Sequence, residues 1–449
     1  MRRACSPPRP AWRPEAAMRI VSPGETGLAT GPRLTHAHAH TLHGLRPPRS
    51  NARVRIFNVK YSPNLGDGLL SECLEQALIE AGTSPDTWSV DLAGRIAYGP
   101  GSSGRAVQMR VLDAVPEGLR RLAVRLPLAL QAARRWRPHY RQALSGAGCV
   151  VIGGGNLFTD LDLNFPTKIA LAVDEAARHG LPVFIYACGV SGGWSPRGKA
   201  LLAGALRTGA IRRVFVRDER SRLNWNRLAE ASGLQATLVR DPGLLAAARY
   251  GLRPDSPVGG PATVGINLTS QLALRYHSHQ PLSPAALDAW YLDLARALLA
   301  RGLRVTVFTN GSPEDRACAE RLRPAFAALP GAEAITFAQP DTPEELARLI
   351  AGLSGIAAFR MHAVIAAYGC GVPFLALAWD PKLEAFLASV DRMERLCRPT
   401  LTPGAPAAER LLAAMRERIP APERERVVAQ ARRGVAMLQE EIARATGIA

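Results

Sequence analysis

The sequence has little lysine, no closely spaced cysteines and no uninterrupted apolar run, and each shortage excludes a class of protein. Only four of its 56 basic residues are lysine, a bias that a GC-rich genome produces without selection for charge. The seven cysteines form no C-x-x-C pair, which argues against a disulfide scaffold and a zinc site. A long, strongly apolar uncharged run, residues 363–379, contains Gly369, Gly371 and Pro373. It therefore predicts a buried helix and strand, not a membrane span.

The amino-terminal stretch also lacks the features of an export signal or a metal site. Prolines and charges follow Arg2-Arg3, so no apolar core completes a twin-arginine signal, and we predict a cytoplasmic protein. Four histidines, at positions 36, 38, 40 and 43, lie where no core pattern exists, so we expect no functional metal. Nothing before Met18 has a structural pattern, which makes this methionine an alternative start.

What the chain does contain indicates a basic, globular protein of more than one domain. Its 449 residues exceed one ordinary core, and 47% are hydrophobic while 21% are charged. The formal charge of +18 is concentrated in residues 1–50 and 101–142. Nucleic acid is a common partner of such chains, but no recognition motif is present and aromatics do not interleave with the basic clusters. We expect no nucleic-acid partner; an anionic small substrate or a membrane surface explains the charge equally well.

Hydrophobic patterning divides the chain into segments. The chain contains two series in which strand-like apolar runs alternate with amphipathic helices, and a Pro/Gly-rich stretch separates these two series. This predicts an α/β protein with two doubly wound, Rossmann-like domains facing each other across a cleft. The predicted segments are a disordered Pro/Arg/His-rich tail (1–52), an N-terminal α/β domain (53–249) with a basic helical insertion (88–148), a linker (250–262), a C-terminal α/β domain with the predicted binding site (263–395) and C-terminal helices (396–449).

Polar residues interrupt the apolar pattern after one strand of the second domain. Arg360 and His362 follow a run ending at Phe359 and precede an apolar helix. Ligands bind beyond the carboxyl ends of parallel strands, and backbone N–H groups at a helix start favour an anion. This position predicts a binding site, although a structural arginine and a helix-capping histidine are the simpler alternative.

Six ordered blocks resemble the polysaccharide pyruvyl transferase family across about residues 54–390. They are Asn64-Leu65-Gly66-Asp67, Gly153-Gly154-Gly155-Asn156-Leu157-Phe158, Val216-Arg217-Asp218-Glu219-Arg220-Ser221, Asp241-Pro242, Arg360-Met361-His362 and Asp380-Pro381-Lys382. The resemblance implies a fold similar to the GT-B glycosyltransferases. It also implies transfer of a pyruvyl group from phosphoenolpyruvate to a sugar, as a ketal, on a cell-surface glycan or its lipid-linked precursor. In the family, the arginine and histidine of the fifth block bind the donor and take part in catalysis.

The chemistry of that reaction assigns roles to three residues. Phosphoenolpyruvate carries a carboxylate and a phosphate, which arginine binds with planar, bidentate geometry, so Arg217 and Arg360 are the predicted donor-binding residues. Ketal formation requires a proton at the enol methylene. His362 is the predicted general acid, since a bound phosphate raises a histidine pKa above about 6.5. Two arginines neutralise the donor, so the mechanism requires neither a metal nor an organic cofactor.

Other site candidates keep two interpretations each. Asp67 is either the cap of the first helix or an acceptor-binding base, and Asn64 is either an Asx-turn residue or a hydroxyl contact. Gly66 and Lys382 are further acceptor or loop candidates. The glycine loop is another, because it lets the chain pass close to a ligand or the facing domain, but it lacks the G-x-G-x-x-G pattern of a nucleotide site; its residues are Gly153, Gly154, Gly155 and Asn156.

Residues 118–143 form a separate hypothesis. Their mixture of apolar residues and arginine suits an interfacial helix on anionic lipid at the inner face of the cell membrane. Solvated arginines over a core-facing stripe are the alternative that we favour. Two rival functions also stay open: a GT-B-type glycosyltransferase using a nucleotide sugar, since fold does not fix chemistry, and a non-catalytic glycan-binding protein.

Overall fold

The computed structural model describes residues 50–99, 125–160, 162–254, 260–271, 282–378 and 380–447. The predicted tail therefore lies outside the described residues up to position 49, together with the four-histidine cluster. The first part of the basic stretch 118–143 lies outside them as well, up to residue 124, and so do residues 255–259 of the predicted linker.

Strands of three to six residues, most of them buried and apolar, form the first sheet. Its six parallel strands have the order β2-β1-β3-β4-β5-β6. They are β1 Val54–Asn58, β2 Trp88–Asp91, β3 Cys149–Gly153, β4 Val183–Cys188, β5 Ile211–Val216 and β6 Ala236–Leu238. The helices of this half are α1 Leu65–Glu80, α2 Arg125–Gln131, α3 Arg137–Leu144, α4 Asn164–Arg178, α5 Pro196–Arg207, α6 Glu219–Leu228 and α7 Ala246–Arg249, with a π-helical turn at Ala132–Trp136 and a 3-10 turn at Pro242–Leu245.

The second sheet also has six parallel strands, in the order β12-β11-β10-β7-β8-β9. The strands are β7 Thr263–Asn267, β8 Arg304–Phe308, β9 Ile335–Ala338, β10 Gly355–Ala358, β11 Phe374–Leu377 and β12 Leu396–Cys397. The helices of this half are α8 Pro284–Leu299, α9 Pro313–Ala327, α10 Pro343–Ala351, α11 Met361–Gly369, α12 Pro381–Ser389, α13 Gly404–Arg416 and α14 Ala421–Thr446. Reversals of strand order within both sheets make each half doubly wound, which confirms the predicted fold class.

The carboxyl edges of the two sheets face each other. The amide of Leu65, at the start of α1, donates to the backbone carbonyl of Asn310 beyond β8 at 2.7 Å. One hydrophobic core continues across this contact and includes Leu69 of α1 and Ile365 of α11. Polar residues that follow the strands of both sheets are therefore brought to one interface.

The last helix crosses from the second half of the chain back to the first. Along α14, the Cα of Gly434 faces Tyr186 of β4 and Val239, close enough that a Cβ would lie 2.9 Å from the tyrosine hydroxyl. Gln430 also accepts a hydrogen bond from Arg240 at 2.9 Å. The C-terminal segment thus helps to hold the two sheets together.

Two short strands lie in segments for which the sequence pattern predicted helices. Trp88–Asp91, at the start of the predicted insertion, pairs with β1, and Leu396–Cys397 pairs with β11 at the opposite edge of the second sheet. Four and two residues are too few to give a periodic signal. Their strand conformation depends on a neighbouring strand that only the folded chain supplies.

The described part of the basic stretch packs as a helical layer on the first sheet. Trp136 and Tyr140 are buried, and the Tyr140 hydroxyl donates to the carbonyl of Leu92 at 2.7 Å. On the outer side, Arg141 pairs with Glu175 at 3.4 Å. This is the arrangement of solvated arginines over a core-facing stripe, while membrane contact stays a prediction. Among the described helices, none is long and apolar enough to cross a bilayer.

Candidate functional site

Arg360 and His362 stand at the start of α11, and only Phe359 separates Arg360 from β10. Arg360 is the N-cap residue, with extended backbone and no capping side-chain bond. Its Nε donates to Oδ2 of Asp315 at 3.0 Å, and Nη2 contacts the same carboxylate and Ser312. Asp315 is fully buried. The structure therefore holds Arg360 against α9 by a buried carboxylate.

His362 lies on the other side of the helix start, against the first half of the chain. It is 8% exposed, and its Nδ1 is 3.6 Å from Oδ1 of Asp67. Within the described residues, its Nε2 has no hydrogen-bond partner. Burial lowers the pKa of His362 below its usual value, and the carboxylates of Asp241 and Asp67 only partly offset this. The imidazole is therefore neutral at pH 7 in the free protein.

The close approach of α1 to His362 depends on a glycine. A Cβ at Gly66 would lie 2.7 Å from Cβ of His362, closer than side-chain carbons pack. The helix is capped by Asn64, whose Oδ1 accepts from the Gly66 amide at 3.3 Å in an Asx turn. Asp67 lies in the first helical turn and is not the cap. Its carboxylate is thus directed at His362.

Arg217 follows β5 and is 7% exposed. Its Nη1 donates to Asp241 at 3.3 Å, and its Nε is 3.6 Å from Asp218, which also caps α6 through the Ser221 amide. Neither Nε nor Nη2 has a hydrogen-bond partner in the described parts of the chain. A guanidinium with two buried, unsatisfied donor atoms is prepared to bind an additional acceptor.

Lys382 completes a charged group at this interface. Its Nζ pairs with Asp380 at 2.7 Å, and burial lowers its pKa despite that carboxylate. A small cavity is lined by Lys382, Arg217 and Asp241 together with Met361. Electrostatic interactions link His362 to Asp67, Asp241, Arg217 and Lys382. We call this set the interface cluster: Asp67, Arg217, Asp241, His362 and Lys382.

The glycine loop after β3 lies beside the interface cluster. Gly154 and Gly155 have φ values of +82° and +76°, a region that favours glycine. Gly153, the last residue of β3, packs against α1. Asn156 donates to the Ser191 hydroxyl at 3.3 Å. A Cβ at Gly189 would lie 2.5 Å from Oδ1 of Asn156 and 2.8 Å from Nη2 of Arg217, so the loop contributes to the wall of the site.

Three buried residues near the predicted site were not among the site predictions: Asp241, Asp315 and Asn310. Asp241 belongs to one of the six blocks, but its role as the partner of Arg217 depends on contacts that no spacing gives. Asp315 follows Ser312 in the first turn of α9, where a carboxylate ordinarily interacts with the helix end. Asn310 stands two residues beyond β8, and a polar residue at a strand end was the signal that could have found it.

The described residues contain no group of three or more His, Cys, Asp or Glu side chains arranged to hold a metal ion. A comparison with curated protein sequences finds no match. Distant structural likenesses include a UDP-GlcNAc 2-epimerase from Neisseria meningitidis bound to UDP-GlcNAc, with 12% identity, a TM-score of 0.48, and coverage of 87% of this chain and 98% of that one. Another is Anabaena Alr3699/HepE in complex with UDP-glucose, with 10% identity, a TM-score of 0.44, and coverage of 88% and 97%. At these values the likenesses carry no argument about ligand or activity.

The family comparison is decisive because it covers most of the chain. The family model described as polysaccharide pyruvyl transferase matches residues 64–381. The match begins at Asn64, the cap of α1, and ends at Pro381, beside Lys382, so it encloses Asp67, Arg217 and His362 of the interface cluster. The chain belongs to the polysaccharide pyruvyl transferase family.

Proposed function

We propose that this enzyme transfers the pyruvyl group of phosphoenolpyruvate to a sugar of a cell-surface polysaccharide or its lipid-linked precursor, forming a pyruvate ketal. One observation carries the proposal. The interface cluster holds three buried nitrogen atoms without hydrogen-bond partners among the described residues, Nε and Nη2 of Arg217 and Nε2 of His362. Buried polar atoms are nearly always satisfied, so their grouping points to a ligand rich in acceptor oxygens.

The charges of the site suit a small dianion. Arg217 offers two nitrogen atoms to a phosphate or carboxylate, and Lys382 adds a second cation in the same cavity. Arg360 is oriented by Asp315 at the facing strand end, and we propose that it contributes to the donor site from there. Because the surroundings are buried, these interactions are stronger than they would be in water.

The proposed reaction balances as follows. One sugar hydroxyl adds to C2 of phosphoenolpyruvate while C3 accepts a proton and becomes the methyl group. Phosphate then leaves from C2, and the second hydroxyl adds to complete the ketal. Of the two hydroxyl protons, one replaces the proton delivered to C3 and the other leaves with phosphate. The net products are the ketal and inorganic phosphate.

Two residues have proposed roles in proton transfer. His362 is the proposed general acid. A bound phosphate next to it opposes the effect of burial and raises the pKa of His362, which favours the protonated imidazole. Asp67, 3.6 Å from the imidazole, is the proposed base for an acceptor hydroxyl. General acid–base groups of this kind contribute about 10²- to 10⁴-fold to rate.

Calorimetric titration with phosphoenolpyruvate tests donor binding. We expect the unmodified protein to bind it and Arg217→Met to lose at least about tenfold in affinity, since hydrogen bonds to a charged group are removed. Arg212→Met is the matched control, because Arg212 lies on β5, the strand that precedes Arg217, and has an exposed side chain. Binding of UDP in place of phosphoenolpyruvate would instead indicate a nucleotide-sugar enzyme.

Transfer is measured with phosphoenolpyruvate that carries a radiolabel in its pyruvyl carbons. Lipid-linked oligosaccharides are the acceptors, and the label should enter them with release of inorganic phosphate. Mild acid should then release labelled pyruvate from the ketal. A non-catalytic glycan-binding protein would be favoured by two results together. The protein would bind phosphoenolpyruvate without transferring the label to any acceptor, and His362→Asn would bind phosphoenolpyruvate as tightly as the unmodified protein.

A further inference from the structure

Two fully buried asparagines lie at the carboxyl edge of the second sheet. Asn267 is the last residue of β7, and Asn310 stands two residues beyond the adjacent strand β8. Nδ2 of Asn267 donates to Oδ1 of Asn310 at 3.0 Å. In this arrangement the oxygen of the Asn310 amide faces Asn267 and its Nδ2 faces away.

Nδ2 of Asn310 has no hydrogen-bond partner within the described residues. A Cβ placed on Gly66 would lie 3.2 Å from this atom and 3.1 Å from Nδ1 of His362, so both nitrogen atoms flank the same glycine of α1. The backbone carbonyl of Asn310 accepts from the Leu65 amide at 2.7 Å, which anchors the residue to the start of that helix. The free amide hydrogens therefore belong to the interface next to His362.

An unpaired donor at such a place requires an explanation, because buried amides are almost always satisfied. Asn310 has an anchored backbone, an anchored side-chain oxygen and an unused side-chain nitrogen. Anchoring limits the reorientation that would otherwise let the side chain find a partner within the protein. Oδ1 of Asn267 also lacks a hydrogen-bond partner among the described residues, so the two amides together leave one donor and one acceptor for a molecule that enters the interface.

We propose that Asn310 is a further ligand-binding residue, which donates a hydrogen bond to an oxygen of the bound three-carbon anion, and that Asn267 is its positioning residue. This inference rests on the proposed function. A neutral amide adds a directional hydrogen bond without adding charge to a site that already contains Arg217 and Lys382. The Asn310 amide therefore favours ligands that place an acceptor oxygen next to it, a selectivity that charge alone does not provide.

Two variants test the proposal by calorimetric titration with phosphoenolpyruvate. Asn310→Asp keeps the shape and the bond from Asn267 but replaces the donor by a negative charge, and we expect affinity to fall by at least about tenfold. Asn267→Asp leaves Asn310 in place. The new carboxylate accepts from Nδ2 of Asn310, so the amide reverses, presents its oxygen to the ligand and weakens binding by a similar factor.

Asn58→Asp is the matched control, because Asn58 is also buried at a strand end but both of its polar atoms have protein partners. Its phosphoenolpyruvate affinity should equal that of the unmodified protein. If Asn310→Asp does not fold, Asn310→Ala tests the ligand contact, and if Asn267→Asp does not fold, Asn267→Ala tests the positioning role. In steady-state assays the KM for phosphoenolpyruvate should rise more than kcat falls.

The outcomes separate the two levels of inference. Folded Asn310 variants that bind phosphoenolpyruvate as tightly as the unmodified protein overturn the role of Asn310 and leave the proposed function standing. An unmodified protein that does not bind phosphoenolpyruvate overturns both. Loss of affinity on Asn310→Asp without any loss on Asn267→Asp supports the contact but overturns the positioning role of Asn267.

Discussion

Arg217 and Arg360 occupy similar positions, each within two residues of the end of a parallel strand at the interface of the two halves, yet their surroundings differ. Arg217 contacts Asp241 at 3.3 Å and Asp218 at 3.6 Å and keeps two nitrogen atoms without hydrogen bonds in the described chain. Arg360 directs both Nε and Nη2 to the single carboxylate of Asp315. One guanidinium is prepared for a ligand, and the other is held by a buried partner.

This difference shows that a strand end alone does not make an anion site. The carboxylates that face the arginine decide how many of its donors are available. Asp315 is the first-turn residue of a helix and accepts from the Ser270 amide at 2.8 Å, so it is itself rigidly placed. The charge of Arg360 therefore stabilises the second half of the molecule in addition to any part in donor binding.

The largest expected effect comes from breaking the anchor of Arg360. Asp315→Asn leaves this guanidinium, 15% exposed, without its buried carboxylate, and should lower the free energy of unfolding by about 3 kcal/mol. Asp218→Asn should cost only about 1 kcal/mol, because Arg217 keeps Asp241 and the new side chain still caps α6. Urea unfolding of both variants measures the contrast, and equal losses would contradict it.

Exchanging Arg217 for lysine tests the donor side of the comparison. Arg217→Lys keeps the charge but removes the planar pair of donors, so kcat/KM for phosphoenolpyruvate should fall about 10²-fold, or about 2.7 kcal/mol of transition-state stabilisation. Folding should be affected less than by Asp315→Asn. An unchanged kcat/KM would show that charge alone, and not geometry, is required at this strand end.

Widening the interface separates the two arginines, which belong to opposite halves. Gly66→Ala introduces a Cβ 2.7 Å from that of His362, so α1 must move away, and we expect activity to fall by about tenfold. Gly204→Ala in α5 is the control, since its nearest neighbouring atom is 3.9 Å from the new Cβ. Equal activity in both variants would mean that the close approach at Gly66 is not needed.

The smallest expected effect is a difference between the two arginines in their influence on the pKa of His362. Its native pKa is lowered, so the unfolded chain binds the proton more tightly, and stability falls as the pH drops below about 6.5 through the native pKa. Arg217 contributes to that lowering. Arg217→Met should therefore reduce the loss of stability in acid, whereas Arg360→Met should not. Unfolding free energies measured from about pH 7.5 to about pH 5 decide this, with His362→Asn as the reference without the titrating group.

Much of the architecture was predictable because it depends on local pattern. Apolar runs interrupted by helices gave two parallel α/β halves, and polar residues placed at the ends of those runs gave Arg217, Arg360 and His362. The short strands β2 and β12 were not predictable, since their conformation comes from pairing. The protonation state of His362 in the free protein was not predictable either. The effect of a bound phosphate could be inferred from the residue type, but the burial that lowers the pKa of His362 is a property of the folded chain.

By itself, the sequence determined the fold class, the family and the strand ends at which charged residues stand, because strand and helix periodicity and motif order are properties of neighbouring residues. Only the tertiary structure decided which carboxylate faces each arginine, that Gly66 must admit His362, and that Nδ2 of Asn310 has no hydrogen-bond partner among the described residues. Those contacts join residues that are at least 24 positions apart in the chain. They exist because two sheets with reversed strand order bring their carboxyl edges together, and no local pattern encodes that meeting.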